Sequence, residues 1–333
     1  MKETVKQLYK RCFDDSDAFV DYYFQHRYTD ARNVSVERDG KVVAALQTLS
    51  YPMTFGGKLC STAYLSAVCT DPDYRHQGVM KELVKKTHQA LFNRGVWAAT
   101  LIPAEDWLFM VYAKHHYSTQ FFQEEVSYVI EQLQADSMCV IEDLTPETSE
   151  AVFAFFNEKL LERPYAIMHT EEDFKTLVGA LFLDKGSVLV ASTDGKISGV
   201  ACVHPSSKIL ELVYQSSVEQ TALLRAVGLR YHQTEVTYLV PPVSEQKKPL
   251  GMIRILAADK FLNCYASIYP NQTTTICVSD DELPENSGRY TLSNGICTKT
   301  ELCDTDVAVW NMSQLADFLF RATVPHMSLM MNE

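Results

Sequence analysis

A basic residue, a histidine and a lone glycine mark the change from a short apolar strand to a helix. The stretch is VCTDPDYRHQGVMKELV, residues 68–84, with Arg75, His76 and Gly78 directly before the helical pattern. The first turn of a helix has backbone N–H groups without intrahelical partners, and the helix dipole adds positive charge there. Glycine leaves these groups open to an anion. Residues 75–81 are therefore a candidate phosphate site, although a glycine in this place is also an ordinary turn residue.

The segments around this stretch predict the elements that would hold it. The order over residues 1–133 is α-α-β-β-β-α-β-α-β, which is typical of a mixed α/β fold. Asp39-Gly40 between alternating segments predicts a hairpin. The helices and strands are expected, in chain order, over residues 2–12, DAFVDYYFQHRY, NVSVERD, KVVAALQTLSYPMTF, STAYLSAVCT, GVMKELVKKTHQALFNRG, VWAATLIP, DWLFMVYAKHH and FFQEEVSYVIEQL.

A similar order of elements follows residue 133. Two helices, a hairpin turning at Asp194-Gly195, a strand, a helix and a strand are predicted up to Pro242. The second strand-to-helix junction reads YQSSVEQT and lacks the Arg-x-x-Gly spacing of the first. After the linker-like SEQKKP, the remainder reads as a small α+β module with helices near AADKFLNCYA and MSQLADFLFRA.

Composition limits the class of protein and its partners. The 333 residues are 47% hydrophobic and 22% charged, with a net charge of −12. An acidic chain argues against nucleic acid and favours cationic or amine-bearing small molecules, although the charge is also explained by solubility alone. No apolar run is long enough for a membrane span, and the amphipathic start is not a secretion signal.

The nine cysteines are scattered, without a Cys-x-x-Cys pair or a histidine at zinc-finger spacing. This pattern predicts reduced thiols in a cytoplasmic protein, and no metal. Cys297 and Cys303 are near enough in sequence to leave one disulfide open as a minor alternative.

The stretch AVCTDPDYRHQGVMKEL resembles motif A of the GNAT N-acetyltransferases, and LIPAEDWLFMVYAKHHYSTQF resembles the next strand and helix of that fold. Over nearly the whole chain the layout is similar to the Eis-type acetyltransferases. The resemblance implies an α/β (α+β) fold with a GNAT domain over 1–133, a degenerate GNAT domain over 134–246 and a sterol-carrier-like domain over 247–333. The last of these carries GMIRILAADKFL and LPENSGRYTL. Met80 departs from the family pattern, which has a small residue there.

The resemblance also implies the donor and the residues that hold it. Acetyl-CoA would be a co-substrate, with its pantetheine arm paired to the strand ahead of the helix and one backbone amide polarising the thioester carbonyl. The residues assigned to acetyl-CoA in this way are Val68, Cys69, Thr70, Arg75, His76, Gln77, Gly78, Val79, Met80, Lys81 and Tyr112.

Two groups are expected to move protons. Aligning VYAKHHY with the family motif places Tyr117 as the acid that protonates the departing thiolate, whereas a buried structural tyrosine is the alternative. The family also implies that the α-carboxylate of Glu333 receives the amine proton or holds the amine. Glu105 is a second acidic candidate because it is close to the cleft in sequence, and a helix N-terminal cap is its alternative role. His115 and His116 replace the family's aromatic-glycine pair and are expected to be partly exposed loop residues, with a role in proton transfer near neutral pH as the alternative.

The sequence therefore predicts an acetyl-CoA-dependent N-acetyltransferase acting on a primary amine of a small molecule or of lysine. One alternative is a lipid- or ligand-binding carrier with an inert GNAT domain, and another is a scaffold in which acetyl-CoA is only a structural ligand. The acceptor and the presence of a homo-oligomer are left open.

Overall fold

A computed structural model describes residues 1–133, 139–242, 244, 246–301 and 308–327. The predicted mixed α/β class is confirmed. The helices within this part are α1 Lys2–Cys12, α2 Asp17–His26, α3 Val79–Asn93, α4 Asp106–Ala113, α5 Ser149–Leu161, α6 Glu171–Leu183, α7 Ser217–Arg230, α8 Ala258–Ile268 and α9 Met312–Phe320. The strands are β1 Asn33–Arg38, β2 Lys41–Phe55, β3 Lys58–Thr70, β4 Ala98–Leu101, β5 Ser118–Val129, β6 Cys139–Asp143, β7 Ser187–Thr193, β8 Lys196–Val203, β9 Ile209–Tyr214, β10 Glu235–Val240, β11 Lys248–Ile255, β12 Thr274–Val278, β13 Gly288–Ser293, β14 Ile296–Thr300 and β15 Val309–Trp310.

The chain forms two compact units. The first unit joins Met1–Gln120 to Leu250–Thr323, and the second joins Phe121–Pro249 to the described residues from Val324 onward. Most of the predicted sterol-carrier-like segment thus belongs to the same compact unit as the first 120 residues. The predicted domain boundaries after residues 133 and 246, and the sterol-carrier resemblance, stay predictions.

The first unit contains a mixed sheet in the order β1, β2, β3, β4, β11. β1, β2 and β3 are antiparallel neighbours, whereas β4 runs parallel to β3 and antiparallel to β11. Helix α3 buries Val79, Leu83 and Leu91 in one core with side chains of these strands. Spacings of four and eight residues put them on one helix face. Burial of one such leucine contributes about 1.5–3 kcal/mol, so packing holds α3 in place beside the sheet.

Residues 256–320 add α8, α9 and a second sheet to the first unit. This sheet has the order β14, β13, β12, β15. The Arg254 side chain on β11 donates two hydrogen bonds to Asp280, which follows β12, at 2.7 and 2.9 Å. Both side chains are completely buried, so loss of either partner would cost about 3–5 kcal/mol. The pair ties the loop after β12 to the first sheet.

The second unit contains a sheet in the order β5, β10, β9, β8, β7, β6. Helices α5, α6 and α7 bury apolar side chains against it in two core clusters. Near the end of the described chain, His326 bonds in parallel to the segment around Ala166 and contacts the buried Glu211 carboxylate through Nε2 at 3.0 Å.

None of the helices in the described ranges combines the length and the apolar character that crossing a bilayer requires. Cys60, Cys202 and Cys277 are buried free thiols. Cys303 lies outside the described residues, so its pairing with Cys297 stays an open alternative.

Candidate active site

The end of β3 separates from its parallel neighbour. The last pair between β3 and β4 is Tyr64 with Thr100, yet β3 continues to Thr70 whereas β4 ends at Leu101. A β-bulge beside Ala67, whose φ is +53°, interrupts the register with β2 here. Within the described chain, the β4-facing edge of the last β3 residues therefore has no neighbouring strand and can pair with an extended ligand.

The predicted residues Val68, Cys69 and Thr70 form this unpaired edge. Their other edge is held by β2, where Ala45 faces Cys69 and Ala44 faces Thr70. The Cys69 thiol is buried and lies 3.4 Å from the Ala45 carbonyl oxygen, which keeps the side chain away from solvent. Any contribution of Cys69 to ligand binding at this edge would therefore come from its backbone.

A short 3-10 turn over Pro72–Tyr74 leads from β3 towards α3. The buried Asp71 carboxylate caps this turn and accepts hydrogen bonds from Arg11 and Lys41. Arg75 is exposed, and its Nε donates to the Thr70 carbonyl at 3.3 Å. A fixed acidic anchor thus holds the turn, while a guanidinium lies beside the end of β3.

The predicted phosphate site is exposed and uncapped by any side chain of the described chain. Gly78 is the N-cap residue of α3, with φ +79° and no side-chain hydrogen bond to the first turn. A Cβ added there would meet no atom within 4 Å. His76 also has a positive φ of +61°. The predicted cradle residues lie together at this turn: exposed Arg75, His76, Gln77, Gly78 and Lys81, with buried Val79 and half-buried Met80.

Met80 turns towards the protein interior. Its side chain packs against the core shared by α3 and the first sheet. The bulk that departs from the family pattern is therefore directed into the core, and the backbone N–H groups of the first turn stay available.

In the second unit, the corresponding strand-to-helix junction lies between β9 and α7, and side chains of α7 and its N-cap residue occupy the helix start. Ser216 caps α7 by accepting from the Val218 N–H at 3.2 Å. The Glu219 carboxylate accepts from the Ser216 N–H and hydroxyl at 3.0 and 2.6 Å. This capping box occupies the helix start with a carboxylate, which would repel a phosphate.

Two tyrosines, Tyr112 and Tyr117, belong to the buried core that also contains Leu65 of β3 and Leu101 of β4. Their rings pack edge to face with centroids 5.6 Å apart. The Tyr117 hydroxyl is 3.0 Å from His88 Nε2, and its side chain is only 1% exposed. Within the described chain the Tyr112 hydroxyl has no hydrogen-bond partner. Its oxygen atom is not completely enclosed by protein atoms.

The structure adds His88 and Glu282, which the sequence did not indicate. His88 on α3 meets the Glu282 carboxylate through Nδ1 at 2.6 Å, and His115 meets the same carboxylate at 2.9 Å. The expected exposure of His115 is wrong, because this contact buries it.

His116 does take the positive φ, +62°, that a glycine would favour. The group is not arranged as a metal site among the described residues.

Burial governs the charge state of this cluster. It lowers the pKa of His88 to about 4, with Arg254 acting in the same direction and the hydrogen bond to Glu282 opposing it. Burial alone would raise the pKa of Glu282, but hydrogen bonds from His115 and His88 hold that pKa well below its usual range. At neutral pH the carboxylate is therefore charged and His88 is neutral.

We expect acid to destabilise the first unit through His88. Its pKa is about 4 in the folded protein, below the unfolded value of about 6.5. Protonation therefore favours unfolding, and stability present above pH 6.5 is lost as pH falls towards 4. The loss between pH 7.5 and 5 should be about 2 kcal/mol from this residue. Denaturant unfolding of wild type and His88→Gln at both pH values measures it, and equal pH dependence in the two proteins would contradict the assignment.

Of the two proposed proton acceptors, Glu105 lies within the described residues and Glu333 does not. Glu105 is the exposed N-cap residue of α4, and its side chain makes no capping hydrogen bond. Glu333 lies outside the described residues, so the role of its carboxylate stays a prediction.

A comparison with known families finds a match for the first part of the chain. Residues 2–119 match the acetyltransferase (GNAT) domain family. The uncapped α3 start and the separated β3 both lie inside the matched GNAT domain. No curated protein matches the chain in sequence.

Solved structures share the fold over almost the full length. A GCN5-related N-acetyltransferase from Anabaena variabilis superposes with a TM-score of 0.78 at 16% identity, over 98% of this chain and 97% of that one. A probable N-acyltransferase from Enterococcus faecalis gives 0.77 at 15% identity, over 96% and 87%. Eis1 from Mycobacterium abscessus gives 0.73 at 13% identity, over 96% and 86%. The fold resemblance thus extends well beyond the GNAT domain.

Proposed function

We propose that this protein transfers an acetyl group from acetyl-CoA to a primary amine of a small molecule or of lysine. The observation that carries the proposal is the open start of α3, with Gly78 at φ +79° and no side-chain cap, directly after a strand with an unpaired edge. The match of residues 2–119 to the GNAT domain family supports acyl transfer as the chemistry of this unit.

In this proposal the two features bind different parts of the donor. The N–H groups of Val79, Met80 and Lys81 and the positive charge of Arg75 hold the pyrophosphate. The unpaired edge at Val68–Thr70 pairs with the pantetheine arm, and one of its amides polarises the thioester carbonyl. An amide fixed by the sheet needs no reorganisation as negative charge develops on that oxygen.

The departing thiolate then needs a proton, and the contacts favour Tyr112 as its donor. The Tyr117 hydroxyl already contacts His88 Nε2 at 3.0 Å, whereas the Tyr112 hydroxyl has no such partner in the described chain. Burial raises the pKa of Tyr112, so the phenol keeps its proton until the thiolate forms. A thiolate in the same apolar surroundings loses hydration as well, which makes it a stronger base. Tyr117 as the acid stays a prediction that the same variants test.

The acceptor is proposed to be cationic before it reacts. A net charge of −12 attracts amines at long range, and Glu105 offers an exposed carboxylate at the start of α4, five residues after β4 begins to separate from β3. The cationic amine first loses one proton to a carboxylate or to water, and the free amine then attacks the thioester carbon. The C–S bond breaks and the thiolate takes its proton from Tyr112. The nitrogen releases a second proton to a carboxylate or to water, and solvent restores the proton of Tyr112.

A long apolar tunnel in residues 247–333 would favour the carrier alternative. A cavity of about 310 Å³ does occur in the described chain, but it lies in the second unit. It is lined by Lys159, Glu162, Arg163, Leu212, Val213, Tyr214 and Tyr238. Charged side chains on its wall do not suit a lipid chain.

Turnover of acetyl-CoA tests the proposal directly. Acetyl-CoA should raise the melting temperature of the protein, and a panel of a polyamine, an aminoglycoside and a lysine peptide should show release of the CoA thiol with at least one member. Acetylated product identified by mass gives the acceptor class. Stabilisation by acetyl-CoA without turnover on any amine would favour the scaffold alternative, and absence of both would reject the donor site.

A further inference from the structure

Three consecutive acidic residues after β12 each contact a basic side chain of the first unit. Asp280 pairs with Arg254, and Asp281 contacts His116 Nε2 at 2.8 Å. Glu282 contacts His88 and His115, the first on α3 and the second after α4. The loop thus bonds to the two elements that flank the proposed donor site.

The direction of each hydrogen bond from Glu282 to Tyr117 follows from chemistry. An ionised carboxylate can only accept, so His88 carries its proton on Nδ1 and donates to Glu282. Nε2 of the neutral ring is then an acceptor, and the Tyr117 hydroxyl donates to it over 3.0 Å. Because all three side chains are buried, water does not compete for these bonds.

Tyr117 is linked to Tyr112 by backbone as well as by its ring. The Tyr117 and His115 N–H groups both donate to the Tyr112 carbonyl, at 3.3 and 2.8 Å. Together with the edge-to-face ring contact, these bonds hold the turn after α4 against Tyr112. The position of the Tyr117 hydroxyl therefore helps to set the position of the Tyr112 ring.

We propose that Glu282 and His88 are positioning residues for acyl transfer, which fix the Tyr117 hydroxyl and through it the ring of Tyr112. The inference rests on the proposed function, in which Tyr112 meets the thiolate. Misplacement of a reacting group by about 1 Å can cost about a hundredfold in rate. If the proposal is correct, fast turnover requires a segment near residue 282, which is far from motif A in sequence.

Kinetics of Glu282→Gln, with Asp281→Asn as the matched control, test the role. Glu282→Gln should lower kcat by about 10- to 100-fold, while KM for acetyl-CoA stays within about twofold. Asp281→Asn removes the charge of the neighbouring, partly exposed carboxylate that contacts His116 and should leave kcat unchanged. An unchanged kcat in Glu282→Gln, or equal losses in the two variants, would overturn the proposal.

A double variant separates positioning from general damage to the fold. If Glu282 acts through the Tyr117 hydroxyl, Glu282→Gln should add nothing to the loss of kcat already caused by Tyr117→Phe. Multiplying losses would show that Glu282 acts in some other way. Tyr117→Phe keeps the ring and should fold even if Glu282→Gln does not.

The tautomer of His88 tests the hydrogen-bond chain without any turnover. Nitrogen NMR of histidine-labelled protein, with His88→Gln to assign the signal, should show the proton of His88 on Nδ1. A proton on Nε2 would overturn the chain even in an active enzyme. An inactive wild type with the Nδ1 tautomer would reject the proposed function while retaining the hydrogen-bond chain.

Discussion

Gly78→Glu is expected to abolish acetyl-CoA binding at working concentrations. The new carboxylate would stand at the start of α3, where no atom lies within 4 Å of an added Cβ, and would occupy the space proposed for the pyrophosphate. Charge-assisted hydrogen bonds are worth about 1.5–3 kcal/mol each, so losing two weakens binding by about a hundredfold or more. Repulsion between the carboxylate and the phosphates adds to that loss.

Gly40→Glu is a matched control in the same unit. Gly40 has φ +77°, nearly the same as Gly78, and an added Cβ there also meets nothing within 4 Å. Both substitutions therefore place the same side chain on a similarly strained backbone. Isothermal titration should show wild-type affinity in Gly40→Glu and none in Gly78→Glu. Equal affinities in the two variants would place the donor site elsewhere.

Local signals made most of the fold predictable. Asp39-Gly40 and Asp194-Gly195 are hairpin turns with positive φ, as expected, and the predicted order of elements up to residue 133 is confirmed. Strand β6 was missed. It is a mostly exposed strand at the sheet edge. Among the described residues β7 is its one partner strand, so its conformation depends on that partner more than on its own pattern.

In the candidate site, too, the residues that are close in sequence were predictable and those brought together by the fold were not. Arg75 and Gly78 were found because a helix start concentrates its donors within a few consecutive residues. His88 and Glu282 are 194 residues apart, and neither residue type is unusual in its own segment. Only the fold brings them together, and the same contact explains why His115 is buried where exposure was expected.

Tyr112→Phe and Tyr117→Phe are expected to differ in how strongly they slow turnover. Tyr112→Phe removes the hydroxyl proposed to protonate the thiolate, and loss of such a donor costs about 10²–10⁴-fold in kcat. Both variants keep the ring, so the edge-to-face contact and the core should survive. The KM for acetyl-CoA should change little, because the proposed phosphate and pantetheine contacts come from the start of α3 and the end of β3, and the Tyr112 ring is kept.

Tyr117→Phe should cost less, about 10- to 100-fold, because it loosens the position of Tyr112 without removing its proton. It also leaves the buried His88 Nε2 without its donor, which should lower thermal stability more than Tyr112→Phe does. Measuring kcat, the KM for acetyl-CoA and the melting temperature for both variants on one accepted amine separates the roles. A loss of 10³-fold or more in Tyr117→Phe, with near wild-type turnover in Tyr112→Phe, would instead make Tyr117 the acid and require its hydroxyl to leave His88 during the reaction.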